Sequence, residues 1–426
     1  MLRAVARRRQ RAAASLPNRD AAMKGTTAMV VSHASPGAPR FLPRAALADL
    51  VTLLQDEGFT VVGPTVVDGV VMYRPIDSPD DLPHGVNDVQ QRGTYRLAEG
   101  DPELTFEFAS GPDSPKRFLF PPQQQLMQFR VQGEGFEVTA GPPDVPKIAL
   151  LGVRPCDLAA IRVQDRVFGQ DDPATFRCES EPWYEQAREQ TLLVAVNCTS
   201  PGGNCFCVSW GTGPEAHEGF DLSLTELRDG FICRAGSPRG KELAAKLPLR
   251  EPTRTELDLA ELLMNRACEH MGRALDTASV KELLEQKRED SHWDEVAQRC
   301  LSCGNCTMVC PTCFCSTVTD VTDLSGEETT RVRSWESCFT HQFSYTVAGP
   351  GRDSLRSRYR HWLRHKLCTW QDQFGVSGCV GCGRCITWCP VGIDITQEVQ
   401  ALRNDSTSLP APIAPACAFS SEGSPP

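Results

Sequence analysis

Residues 300–315 read CLSCGNCTMVCPTCFC, six cysteines within sixteen positions. Four of them, Cys300, Cys303, Cys306 and Cys310, are followed by Pro311, and the same spacing returns at Cys379, Cys382, Cys385 and Cys389 before Pro390. The pattern C-x2-C-x2-C-x3-C-P suits thiolates that wrap an iron-sulfur cubane, three from one loop and the fourth at the head of the next segment. In two-cluster ferredoxins the fourth cysteine of each run serves the other cluster. The spacing therefore predicts one [4Fe-4S] cluster on Cys300, Cys303, Cys306 and Cys389, and a second on Cys379, Cys382, Cys385 and Cys310. Gly304, Gly381 and Gly383 would let backbone N–H groups approach the sulfurs, and each proline would turn the chain away after the last ligand. The alternative is a pair of zinc sites. Zinc usually takes two C-x-x-C pairs, and a third cysteine at the same step with a C-P end, both repeated, fits a cubane better.

A second constellation lies earlier. Cys156 follows the apolar run KIALLGV, and Cys198, Cys205 and Cys207 follow TLLVAV in a loop containing Gly202 and Gly203. Loops after the ends of strands are where open α/β sheets build sites, so a third cluster is expected on these four thiols. The competing reading is that they pack as small apolar side chains. Cys313, Cys315, Cys338 and Cys368 have no assigned ligand role and are expected to line the dicluster core as thiols, as are Cys178, Cys233 and Cys268. The segment GRDSLRSRYRHWLRHK, residues 351–366, concentrates five Arg, one Lys and two His in an acidic chain. It reads either as a solvated helix face or as a surface turned to anionic clusters or an acidic partner.

The elements that must position these cysteines divide the chain into parts. Residues 1–40 read as a disordered Arg-rich extension, with Met23 or Met29 as alternative starts, and without the apolar stretch of a secretory signal. Residues 41–255 read as a mixed α/β domain: a helix and a strand open it, and TVVDGVVMYRP, LTFEFAS and FEVTA read as β-rich runs. Residues 256–403 show apolar residues at helical spacing with no alternating pattern, which predicts an α-helical ferredoxin-like dicluster domain. Residues 404–426 read as a disordered Pro/Ser-rich tail in which Cys417 is incidental. The fold class expected is thus α+β, a mixed α/β domain followed by a helical one.

Composition narrows the function. A formal charge of −10 argues against a nucleic-acid partner. No apolar run reaches the ~20 residues that span a bilayer, so no membrane span is predicted. All twenty cysteines lie beyond residue 155 and most are clustered, which favours metal ligation in the cytoplasm over a disulfide framework. There is no G-x-G-x-x-G after a strand, no phosphate-binding G-x-x-x-x-G-K-S/T loop and no paired C-x-x-C set for nickel, so no catalytic residues are assigned.

The two runs start 79 residues apart (379 − 300), too far for a compact βαβ ferredoxin, and this resembles the α-helical ferredoxin domain of succinate dehydrogenase iron-sulfur proteins. More specifically, CLSCGNCTMVCPTCFCSTVTDV, SWESCFTHQFSY and GCVGCGRCITWCPVGIDIT, with LLGVRPCDLAAI and VNCTSPGGNCFCVSWGTG, resemble the beta subunit of cytosolic NAD(P)-linked nickel-iron hydrogenases, or sulfhydrogenases. The related iron-sulfur component of anaerobic sulfite reductase is similar. The resemblance covers roughly residues 40 to 402. It implies a non-catalytic relay that passes electrons between nickel-iron hydrogenase subunits and a flavin-containing, NAD(P)-binding subunit. The alternative from the same wiring is an electron-feeding subunit of an anaerobic sulfite or polysulfide reductase. A zinc scaffold without redox function is the third reading.

Overall fold

Two runs of unbroken apolar residues set the centre of the main sheet. The strands β1 (Arg40–Pro43), β2 (Thr60–Val67), β3 (Val70–Pro75), β4 (Val86–Gln91), β5 (Thr94–Glu99), β6 (Gln123–Gln132), β7 (Gly135–Ala140), β8 (Ile148–Val153), β9 (Thr191–Val196), β10 (Leu222–Leu227), β11 (Gly230–Ala235), β12 (Ser316–Thr322) and β13 (Glu328–Trp335) carry the β structure. The computed structural model describes residues 37–133, 135–140, 145–169 and 181–404. The Arg-rich start, Cys178 and the tail with Cys417 lie outside the described residues.

IALLGV and TLLVAV form β8 and β9, in which every residue is buried, as expected of strands covered on both faces. They run parallel to each other and to β2 and β10. Hairpin partners β3 and β11, with β1, complete a seven-stranded sheet in the order β1-β11-β10-β9-β8-β2-β3. Alternate residues of one strand serve opposite layers. Ala149, Leu151, Leu192 and Val194 meet Leu47, Leu50 and Leu54 of the helix Leu47–Asp56. Leu150, Leu193 and Ala195 meet Leu158 and Ile161 of the helix Pro155–Phe168.

The helix Arg254–Glu269 starts at a reciprocal cap, in which Thr253 Oγ1 accepts from Glu256 N–H and the Glu256 carboxylate accepts from Thr253 N–H. It packs Ala260, Leu257 and Leu263 on Phe41, Leu227 and Ile232, and so belongs to the same layer system as the sheet. The helices Val280–Gln286, His292–Arg299, Leu355–Arg364 and Ile395–Asn404 build a second core around Trp293, Tyr359, Trp362, Leu367 and Val399. A π-helical turn, His365–Thr369, continues Leu355–Arg364 and interrupts its regular hydrogen bonding.

Two readings of the sequence are corrected. LTFEFAS, residues 104–110, is not a strand. Its Phe106 and Phe108 are buried as anchors of an irregular segment, and the alternation that suggested a strand comes from those anchors. Conversely, the stretch between the two cysteine runs is not helical throughout. β12 and β13 pair antiparallel, and β13 pairs with β6, forming a four-stranded sheet in the order β12-β13-β6-β7. The β-branched residues of STVTDVT and ETTRVRSW suit a hairpin. Their weak apolar alternation conceals it, because β12 is mostly exposed.

Candidate metal centres

Each cysteine run is built the same way. A helix or loop delivers the first thiol, a glycine at positive φ bends the chain, and one turn of helix presents the third. Cys300 follows the helix His292–Arg299, Gly304 sits at φ 77°, and Cys306 lies in Asn305–Met308. In the second run Gly381 (φ 66°) and Gly383 (φ 75°) precede Arg384–Thr387, which carries Cys385. Backbone N–H groups point at sulfur in both: Ser302 donates to Cys300 Sγ (3.4 Å), Gly381 to Cys379 Sγ (3.5 Å) and Ile393 to Cys389 Sγ (3.3 Å).

The fold brings the two runs together. Cys300, Cys303, Cys306 and Cys389 line one cavity of about 450 Å³, including its mouth, whose remaining wall is largely apolar and includes Phe339, Tyr359, Trp362 and Cys385. Burial raises the Cys300 thiol, with Cys389 and Cys303 adding to it, and raises Cys306 well above the usual thiol range, reinforced by Cys300, Cys389 and Cys303. Burial pushes Cys379 up to about 12, and Cys382 and Cys310 are its thiol neighbours. Cys385 is raised by burial and then by Cys379, Cys382 and Cys310. Such thiols resist ionisation until a bound cation supplies the compensating charge. Cys310 differs: a hydrogen bond from Cys313, then the nearby Lys366 and Thr312, hold it well below the usual range despite burial.

Thiols gathered from two segments around one cavity can hold a polynuclear cluster, which takes one thiolate on each iron.

The earlier cysteines form a third gathering. Cys156 lies in the first turn of Pro155–Phe168 after β8, Cys198 follows β9, and Cys205 and Cys207 enter the turn Cys207–Trp210. Burial, with Cys198 as nearest thiol, pushes Cys205 up to about 12; burial also raises Cys207, which feels Cys205 and Cys198, and Cys156, which feels Cys207. All three also feel Cys382, and the Cys205 thiol lies 3.9 Å from the Cys382 carbonyl oxygen. The gathering therefore abuts the second run.

Gly381 and Gly383 make that contact. Phe206 N–H donates to Gly381 O (2.8 Å), and a Cβ on Gly383 would strike the backbone of Asn204. A Gly383→Ala chain is expected to lose more than about 1–2 kcal/mol from the left-handed φ and the collision together. Gly58→Ala, at φ 83° with open space around it, should lose less. Comparison of the two unfolding midpoints checks this.

Charged residues that sequence reasoning passed over complete the site. Arg384 is 1% exposed and its guanidinium makes a two-pronged pair with the fully buried Asp157 (2.8 and 2.9 Å), also donating to Gly111 O (2.8 Å) and Asp113 O (3.0 Å). The signal was present in G-R-C and P-C-D, charged residues beside thiols in apolar surroundings. Lys116 and Lys366 are also buried beside the first run. In the basic segment, Arg356 and Arg360 pair with Glu289, and Arg356 also with Asp294, within the chain. Arg358 is buried and donates to the carbonyls of Arg352, Phe339 and Asp353. Cys233 is a buried free thiol of the main sheet, Cys368 is buried with its thiol 3.9 Å from a Glu285 carboxylate oxygen, and Cys268 is disulfide-bonded instead of a free core thiol.

No helix among the described residues is long and apolar enough to cross a membrane. The 4Fe-4S dicluster domain family matches residues 299–393, the segment that contains both cysteine runs. Sulfhydrogenase 2 subunit beta of Pyrococcus furiosus is 32% identical over 320 residues, covering 74% of this chain and 91% of the relative. No solved structure matches. With a 4Fe-4S dicluster domain and a relative matched over about three quarters of its length, this chain belongs to the sulfhydrogenase beta-subunit family, as an iron-sulfur subunit that transfers electrons.

Proposed function

We propose that this chain relays electrons in the cytoplasm between nickel-iron hydrogenase subunits and a flavin-containing, NAD(P)-binding subunit. Its wire is two [4Fe-4S] clusters, one on Cys300, Cys303, Cys306 and Cys389 and one on Cys379, Cys382, Cys385 and Cys310. The observation that carries the reading is the cavity in which Cys385 and Cys389 of the second run join three thiols of the first. When bound, each cluster supplies a one-electron carrier whose potential depends on its surroundings. The chain's own part is to hold the thiolates, to aim the N–H groups of Ser302, Gly381 and Ile393 at sulfur, and to exclude water with Phe339, Tyr359 and Trp362.

A third cluster on Cys156, Cys198, Cys205 and Cys207 extends the wire into the α/β part, on the side of Cys382. Its support is the mutual proximity of the four thiols, at the ends of β8 and β9. Cys198→Ser/Cys205→Ser should lower bound iron by about four per chain, if a cubane takes one iron per thiolate. Unchanged iron would remove the third cluster. For the relay as a whole, anaerobic purification of the native complex, with partners identified by mass spectrometry, should recover flavin and nickel-iron subunits. A sirohaem-containing partner would overturn the assignment.

A further inference from the structure

Two ammonium groups are buried beside segments that carry Cys310 and Cys379. Lys116 is 3% exposed and opens the short helix Lys116–Leu119, outside the segment 299–393 that the dicluster family matches. Its Nζ donates to three backbone carbonyls, Cys310 O (2.9 Å), Met308 O (3.3 Å) and Cys313 O (3.4 Å). Three acceptors use all three N–H bonds of an ammonium, one more than a neutral amine has. Geometry thus holds Lys116 as a cation, and the Trp335 ring, its centroid 3.8 Å from Nζ, adds a cation–π contact. Trp335 is fixed in turn, since its indole N–H donates to Phe120 O (2.9 Å).

Lys366, 4% exposed, lies on the π-helical turn His365–Thr369, a kind of irregularity that often marks a functional site. Its Nζ donates to Thr312 Oγ1 (2.8 Å) and Gly378 O (3.1 Å), and its own carbonyl accepts from Gly378 N–H (2.9 Å). Thr312 Oγ1 lies 3.2 Å from Cys310 Sγ, and Gly378 precedes Cys379. One lysine therefore ties the segment after Cys310 to the residue before Cys379. These acceptors of the two lysines are all neutral. A buried ammonium with neutral partners alone is costly, and an anion in the same place offsets that cost. Four thiolates outweigh the positive charge of the iron-sulfur core they hold, so a ligated cubane is such an anion.

We propose that Lys116 and Lys366 are counter-charges of the cluster on Cys379, Cys382, Cys385 and Cys310, and that they raise its reduction potential. Net charge and hydrogen bonding around a cluster set its potential, and fixed positive charge favours the reduced form, which carries one more negative charge. Lys116 acts through space, from the carbonyl of a ligand. Lys366 is also a positioning residue, because it reaches Cys310 through the Thr312 hydroxyl. Since Lys116 comes from the α/β part, the potential is set partly from outside the segment that supplies the thiolates. The inference rests on the assignment of Cys310 to the second cluster, and it is independent of which partner exchanges electrons with the chain.

The test is a spectroscopically monitored redox titration of the full chain, reconstituted anaerobically with ferrous iron and sulfide. The transition that Cys310→Ser removes is that of the second cluster. In Lys116→Met it should move to lower potential, so that at the midpoint of the unaltered protein the ratio of reduced to oxidised cluster falls about tenfold, a shift of about 59 mV for one electron. Lys366→Met should move it in the same direction, and Lys116→Arg, which keeps the charge, should leave it closer to its original place. A midpoint unmoved or raised in either methionine variant, with iron content intact, overturns the proposal. If a methionine variant binds less iron, the arginine variant at the same position decides: restored iron upholds the need for positive charge there, and iron still missing overturns it. An intact protein with no transition that Cys310→Ser removes would instead fault the assignment of Cys310, before any lysine is changed.

Discussion

Cys389→Ser is expected to abolish the cluster of the first run and to spare the cluster of its own. Cys389 shares a cavity with Cys300, Cys303 and Cys306, which Cys385 also lines, whereas the thiol neighbours of Cys379 and Cys385 include Cys310. The reduced-state spectrum of Cys389→Ser should therefore match that of Cys300→Ser, and Cys310→Ser should match Cys379→Ser. Each change should remove up to about four iron per chain, the content of one cubane. Electron transfer through the chain should fall with it, because a relay is no better than its missing step. If Cys389→Ser instead resembled Cys379→Ser, each run would be a closed site and the crossed assignment would fail. The physical basis is reach. After Cys310 and Cys389 each proline turns the chain, and in the fold these fourth thiols lie toward the opposite run.

Loss of the Arg384 guanidinium is expected to produce the largest change in stability. Arg384 and Asp157 are essentially inaccessible and hold each other with two hydrogen bonds, while the guanidinium also satisfies Gly111 O and Asp113 O. Removing one partner of a buried pair leaves a desolvated charge and typically costs about 3–5 kcal/mol. Arg384→Met should reach that range in denaturant unfolding of the reconstituted chain. Arg384→Met/Asp157→Leu should recover much of it, because replacing both partners by apolar groups avoids the orphaned charge. A loss of less than about 1 kcal/mol in Arg384→Met would show that the pair contributes little beyond its packing. The position gives the pair a further consequence. Asp157 follows Cys156, and Arg384 lies between Cys382 and Cys385, so breaking it loosens two thiol sets at once.

The glycines show how a sequence reading can be sound and still partial. N–H groups near sulfur were expected from Gly381, and its N–H does reach Cys379. Its second use, making room for the Asn204–Cys207 loop, depends on a segment more than 170 residues away (381 − 207 = 174) and no local pattern carries that information. The basic segment is similar. Its charge was legible, but its contacts with Glu289 and Asp294 follow from how neighbouring helices pack.

By itself the sequence determined the chemistry. Eight cysteines at a repeated spacing, two unbroken apolar strands with thiols at their ends, and helices before the first run are local patterns, set by periodicity and ligand geometry within a few residues. Tertiary structure decided what depends on distant partners: the meeting of the two runs at one cavity, the pairing of β13 with β6, and the burial of Arg384, Lys116 and Lys366. The reason is that burial and counter-charge belong to a place in the fold, and a charged side chain reads the same in sequence whether it ends in water or beside a thiol.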